Sequence, residues 1–343
     1  MKVQNNLIST KLRNFSREKF NALLNIRAIA LDALRKGLIR EGYTEVTTSS
    51  LVNIAGSCEN PYASFSLNYY GREAHLSQSA QLQLEAVVIR LKRGVFTINN
   101  SFREENYDDP EAKGRRLSEF TLIEPEKPYE GLTPEKALNQ IISTEEKLIK
   151  NTIEEVLKKR KKDLVLLGGK VDYLNLILKK KFIRITYDEA LKLLNKEGGF
   201  YKFGDDLNIK EERKILAHFD NIPTFVLYYP AKIKFFNMKR TPDGKRVYSV
   251  DLLVPRLGET AGGAVREEDG EKIKKYLLES KIAKYIREHN GNPLEPFQEY
   301  FNLFKQEKPV LRGGFGIGFE RFIGFLINSN DILETITYRS MQP

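Results

Sequence analysis

Two carboxylates, two arginine-bearing stretches and one glycine cluster supply the residue types from which a nucleotide-using site can be built. Asp251 and Glu259 flank residues 252–258, and two carboxylates at the edges of a strand pair suit a magnesium ion, which takes few protein ligands and keeps its substrate's phosphate oxygens. In SFREE, residues 101–105, Arg103 and Glu105 stand two apart; on a strand they share a face, where the arginine can hold a phosphate while the glutamate accepts from an exocyclic amine. Arg115 and Arg116 precede Glu119 and Phe120, so a hairpin would set more guanidinium groups and a stackable ring beside the first pair. Taken singly, each of these is more common as a surface ion pair, a solvated carboxylate or a core phenylalanine.

The glycine cluster, GGFGIGFER at 313–321, fails two tests for a phosphate loop. No Gly-Lys-Ser/Thr closes it, and no βαβ unit with an acidic residue about 20 positions on follows it. Glycines at every second position of an extended segment instead leave one face of a strand bare, so that a flat ring can approach the backbone. Arg321 then begins a helix, where the guanidinium and the positive helix end both favour an anion.

These groups need elements to hold them. Residues 16–41 carry Phe20, Leu23, Ile26, Ala30, Leu34 and Leu38 at helical spacing, with Ser16 as N-cap and Gly42 as C-cap. A strand is expected at 44–46, and others at 74–76, 95–99, 120–123, 224–228, 232–238, 247–254 and 260–266. Helices are expected at 78–92, 133–162, 186–196, 205–218 and 270–289, with one more after the glycine cluster. Pro242-Asp243-Gly244 reads as a hairpin turn, and 106–117 as a long polar loop of the functional kind. Helices around mostly consecutive strands indicate an α+β fold with an antiparallel sheet.

Composition bounds the class. The 343 residues are 41% hydrophobic, enough for a substantial core. No apolar run approaches the roughly 20 residues that cross a bilayer, so a soluble cytoplasmic protein without membrane contact is expected. One cysteine, Cys58, excludes an internal disulfide framework, and three histidines leave little for a zinc site. The formal charge of +10 attracts nucleotides, acidic metabolites or nucleic acid. Part of it sits in KKRKK at 158–162 and KKK at 179–181, which read first as solvated helix ends and second as an RNA-docking patch.

Together FREE at 102–105, RRLSEF at 115–120 and GFGIGFER at 314–321 resemble motifs 2 and 3 of the class II aminoacyl-tRNA synthetases, and the helix and strand before Leu51 resemble motif 1. SAQLQLE at 79–85, ITYDEA at 185–190, FGDDL at 203–207 and GGAVRE at 262–267 extend the likeness toward the asparaginyl branch over most of the chain. The resemblance implies an antiparallel sheet flanked by helices, with the motif 1 helix and strand at a homodimer interface. It implies residues 1–16 as an N-terminal extension and 17–343 as a single catalytic domain, with a helical segment at about 133–200 inserted after motif 2.

For the site, the resemblance implies ATP and magnesium. Arg103 would hold the α-phosphate and Glu105 read the adenine amine, with Arg115 and Arg116 nearby. Phe120 would stack on adenine over the floor of Gly316 and Gly318, and Arg321 would meet its far side and the γ-phosphate; Arg103 and Arg321 are the expected catalytic pair. Asp251 and Glu259 would carry the metal. Glu59, Ser79, Gln81 and Glu124 match positions that hold the α-amino end, and Arg266 matches the reader of the side-chain carbonyl oxygen. Leu84 stands where aspartyl enzymes resemble one another in having lysine, and with Glu85 it adapts the pocket to a carboxamide.

Four departures shape the functional expectation. Ser49 replaces the motif 1 proline, Arg312 a histidine before the motif 3 glycines, and Thr337-Tyr338-Arg339 a closing Phe-Pro-Arg. A catalytic core without the branch's anticodon-binding barrel resembles the archaeal asparagine synthetase related to asparaginyl-tRNA synthetase. The leading expectation is therefore ammonia-dependent synthesis of asparagine from aspartate and ATP, releasing AMP and pyrophosphate. The alternatives are a ligase that activates asparagine for tRNA or another acceptor, and a silent paralogue that only binds ATP or an amino acid.

Overall fold

The computed structural model describes residues 15–57, 60–106, 113–308 and 310–338; Glu59, half of the polar loop and Arg339 lie outside them. In chain order the strands are β1 (Thr44–Glu45), β2 (Leu51–Val52), β3 (Ser66–Tyr69), β4 (Arg72–Leu76), β5 (Val95–Phe102), β6 (Glu119–Pro128), β7 (Ile183–Thr186), β8 (Thr224–Leu227), β9 (Ser249–Val254), β10 (Gly258–Arg266) and β11 (Arg312–Gly318). The helices are α1 (Arg17–Arg40), α2 (Ile54–Ser57), α3 (Gln81–Leu91), α4 (Pro134–Leu166), α5 (Val171–Lys179), α6 (Tyr187–Lys196), α7 (Ile209–His218), α8 (Gly270–Leu278), α9 (Lys281–Glu288), α10 (Gln298–Gln306) and α11 (Phe319–Ile327).

Among the described residues the main sheet runs β1-β5-β6-β11-β10-β9-β8-β7, antiparallel except at its two ends, where β1 pairs with β5 and β7 with β8 in parallel. This is the α+β architecture that the element pattern predicts. One face is sealed by α4, whose buried stripe of Leu138, Ile141, Ile142, Ile149 and Ile153 meets α1 and the sheet, with Val250, Leu252, Ala261, Val265, Phe315 and Ile317 pointing toward it. Because strand side chains alternate, the intervening residues of β6, β9, β10 and β11 point to the opposite face, which carries the cleft.

Local chemistry sets several boundaries. Thr186 with Glu189, and Asn208 with Glu211, form capping boxes at the starts of α6 and α7. No helix among the described residues is long and apolar enough to cross a membrane. Both basic runs fall on largely exposed helix positions and ends, where water solvates them.

Four expectations need correction. Residues 232–238 are not a strand: a 3-10 turn, Ala231–Ile233, and irregular chain occupy them, tied to the sheet by a single bridge from Met238 to Arg266. The turn at Pro242-Asp243-Gly244 exists, with Gly244 at φ +71°, but isolated bridges rather than a ladder flank it. The helix expected at 270–289 is two helices, because Ser280 stops the first register and caps the second. Finally β5 ends at Phe102, so Arg103 and Glu105 share the cleft by leaving the strand, not by strand alternation. Helix α10 was not anticipated.

Candidate active site

The floor of a cleft of about 1220 Å³ is the bare face expected of the glycine cluster. A Cβ on Gly316 would meet nothing closer than Glu124 Cγ at 3.6 Å, so open space stands above it. At Gly314 the same alternation serves packing instead, since a Cβ there would run into the Pro125 carbonyl. Helix α11 begins directly after Gly318 and carries Arg321 in its first turn. Its neighbour Glu320 is buried and accepts from the Thr121 backbone N–H at 2.9 Å and from Arg27 at 3.1 Å, which fixes the helix start to β6 and α1.

At one end of the cleft the charges are buried and bonded. Ser79 Oγ donates to Glu124, whose other oxygen accepts from the Ala80 N–H at 2.9 Å. Arg266 donates through Nη2 and Nε to the two oxygens of Glu126, at 3.0 and 3.2 Å. Behind them Glu85 is fully buried: Oε2 accepts from Arg312 Nε at 2.9 Å, Arg312 Nη2 at 2.6 Å and Tyr300 OH at 2.9 Å, while Oε1 accepts from Gln81 at 3.2 Å and from Asn237. Burial pushes the Glu126 carboxyl up to about 7, with Arg266 opposing. Two guanidinium groups thus face two carboxylates.

At the other end the groups are looser. Arg103 lies 5.9 Å from the Phe120 ring centre, and Glu105 pairs with Arg116 at 3.2 Å. Burial, with Arg321 adding to it, lowers the Arg115 guanidinium to about 10. Arg321 donates to the Glu259 backbone carbonyl, and its Nη1 lies 3.9 Å from the Glu259 carboxylate.

Asp251 and Glu259 come together through an irregularity. Leu253 of β9 faces Glu259 but Leu252 already faces Ala261, so β10 carries one extra residue between Glu259 and Ala261. Such a bulge reverses the facing of everything before it. Ala261 and Val265 point into the core, yet Glu259 joins Asp251 on the cleft face. Asp251 Oδ1 and Glu259 Oε1 each lie 3.3 Å from the point where a Cβ on Gly262 would sit, which is a cradle that a side chain would fill. The donor set is two carboxylates, and among the described residues no group of three or more His, Cys, Asp or Glu side chains could hold a metal. That fits magnesium completed by phosphate oxygens. Burial pushes Asp251 up to about 6, with the Lys234 ammonium opposing and Glu259 adding. Glu212 from α7, buried and pushed up to about 7, accepts from the Glu259 N–H at 3.0 Å.

Of the expected residues, Ser79, Gln81 and Glu124, together with Arg103, Glu105, Arg115, Arg116, Phe120, Gly316, Gly318 and Arg321, line one cleft with Asp251, Glu259 and Arg266. Glu85 does not line it; its carboxylate is enclosed behind Gln81 and Arg266. Sequence reading missed Glu126, Lys234, Glu212 and Asn237. Glu126 was within reach, since it follows Glu124 by two on β6 and must share its face.

The sequence model of tRNA synthetases class II (D, K and N) matches residues 4–342. Asparagine–tRNA ligase of Pyrococcus furiosus is 33% identical over 95% of this chain and 68% of its own length. That of Desulforamulus reducens is 33% identical over 94% and 69%. The asparaginyl-tRNA synthetase of Pyrococcus horikoshii, solved in complex with asparaginyl-adenylate, superimposes with a TM-score of 0.82 at 31% identity, covering 95% of this chain and 70% of that one. These relatives give no support to ammonia-dependent asparagine synthesis and favour the asparagine-activating alternative. The chain belongs to the class II tRNA synthetases (D, K and N), and it is a ligase.

Proposed function

We propose that this protein activates L-asparagine with ATP and passes the asparaginyl group to tRNA. The carrying observation is that Arg266, which in this reading meets the substrate's side-chain end, is already bonded by Glu126, with the Arg312–Glu85 pair balanced behind it. A neutral carboxamide can share Arg266 with its carbonyl oxygen, whereas a second carboxylate would have to displace Glu126 or stand beside it as a like charge.

In the first step an oxygen of the asparagine α-carboxylate attacks the α-phosphorus of ATP, and the bond to the β-phosphate oxygen breaks in line. Asparaginyl-adenylate and pyrophosphate result. Ser79, Gln81 and Glu124 hold the α-amino end, Glu59 being assigned with them by sequence. Phe120 and the floor of Gly316 and Gly318 hold adenine, and Glu105 accepts from its amine. Arg103 fixes the α-phosphate, while Arg321, with Arg115 and Arg116, meets the outer phosphates. Magnesium, held by Asp251 and Glu259, would neutralise charge on the phosphates. Everything else is positioning and fixed charge. Pairing of two copies across α1 and β1 belongs to the same reading.

ATP–pyrophosphate exchange measured separately with asparagine and aspartate tests it. Exchange with asparagine, and aminoacylation of tRNA by the same preparation, are expected. Exchange with aspartate alone, with AMP release raised by ammonium, overturns it in favour of asparagine synthesis.

A further inference from the structure

None of the roles above uses Lys234. It follows the 3-10 turn at Ala231–Ile233 and reaches into the cleft, where its ammonium lies 2.8 and 2.5 Å from the two carboxylate oxygens of Asp251. The same ammonium stands 4.1 Å from the centre of the Tyr229 ring, which supports it from the side. Asp251 also faces Glu259 across Gly262. A single positive charge therefore sits on the carboxylate that would grip a divalent ion.

We infer that Lys234 is a placeholder cation, which neutralises Asp251 in the nucleotide-free protein and moves to the incoming triphosphate, so that metal and ATP enter together. This rests on the reading of Asp251 and Glu259 as the metal-holding pair. Two carboxylates converging in a partly dry cleft repel each other, and an ammonium on one of them offsets that repulsion. A divalent ion arriving alone must evict the ammonium without giving it a new partner. An ion arriving on ATP brings phosphate oxygens that accept the ammonium in a charge-assisted bond, so the eviction is compensated. Lysine suits such exchange because its charge sits on a flexible stem with three rotatable donors, unlike the rigid fork of arginine.

Manganese binding followed by electron paramagnetic resonance, with and without α,β-methylene-ATP, tests this without turnover or amino acid. Wild-type protein is expected to bind Mn²⁺ weakly alone and tightly with the nucleotide. Lys234→Met and Lys234→Gln should bind Mn²⁺ alone about tenfold tighter or more, between the water-screened and surface limits for removing a unit charge from roughly 4 Å. Their gain from the nucleotide should shrink by the same factor, while Lys234→Arg, which keeps the charge on a rigid fork, should bind Mn²⁺ alone as weakly as wild type and gain less from the nucleotide. The inference is overturned if wild-type protein binds Mn²⁺ equally well with and without the nucleotide. It also fails if either folded uncharged variant binds Mn²⁺ alone no better than wild type. If no form binds Mn²⁺ even with the nucleotide, the metal role of Asp251 and Glu259 falls and takes the inference with it; pyrophosphate exchange, measured independently, separates the two failures.

Discussion

At the end of the cleft that the proposed function gives to the amino acid, Arg312 and Glu85 are both fully buried and joined by bonds of 2.9 and 2.6 Å. At the nucleotide end, Glu105 pairs at 3.2 Å with Arg116, whose side chain is 41% exposed, and Asp251 is held by a lysine on a flexible stem. The difference matches what each end would recognise under the proposed function. Telling a carboxamide from a carboxylate turns on one small group, so the charges there must be set before the substrate arrives. ATP brings a large charge of its own, and pairs that can be exchanged for its phosphates lose less on binding than permanent ones would.

Four measurements would break or sharpen this contrast. The largest effect is expected from Arg312→Met, which leaves Glu85 buried with two fewer charged donors; denaturant unfolding should show a loss of about 3–5 kcal/mol. A loss below about 1 kcal/mol would mean that the amino-acid end is not preset in the manner described. Arg103→Ala should leave unfolding nearly unchanged and lower the exchange rate roughly 10²–10³-fold, the scale for one pre-aimed donor. Equal losses in both assays would erase the distinction between the two ends.

Glu212 gives a pH test. Its folded value of about 7 stands above the ordinary 4.5, so its contribution to stability is fully present below 4.5 and is lost as pH rises through 7. Across that window wild-type protein should lose up to about 3 kcal/mol that Glu212→Gln, which cannot titrate, does not lose. Parallel curves for the two proteins would remove Glu212 from the account. The smallest effect belongs to Arg116→Ala at the rim: less than about 1 kcal/mol in stability, with a rise in KM for ATP and little change in KM for asparagine.

Much of the cleft was legible because strand parity is local. Glycines two apart must share a face, which brings Gly316 and Gly318 to the cleft floor; that Gly314, of the same parity, packs against Pro125 depends on its neighbour in β6. What escaped depended on distant chain. Glu85 looks like a pocket residue from its place beside Leu84, but Arg312, Tyr300 and Asn237 converge on it from other segments and close it off. The 232–238 stretch has the apolar content of a strand, yet only Met238 finds a sheet partner and Lys234 is drawn to Asp251. Helix α10 had a usable signal, with Phe297, Phe301 and Phe304 at helical spacing, masked by the Asn-Gly-Asn-Pro run just before it.

The extra residue in β10 makes the direction of Glu259 a matter of counting. Its carboxylate faces the cleft because an odd step separates it from Gly262 and the bulge restores the phase. Drawn out as a regular ladder with Thr260 kept, the same sequence would preserve every acidic, basic and aromatic group of the site and still turn Glu259 toward α4. In this stretch, then, the phase of the backbone matters as much as the identity of the side chains, because the second carboxylate reaches the cleft only through the bulge.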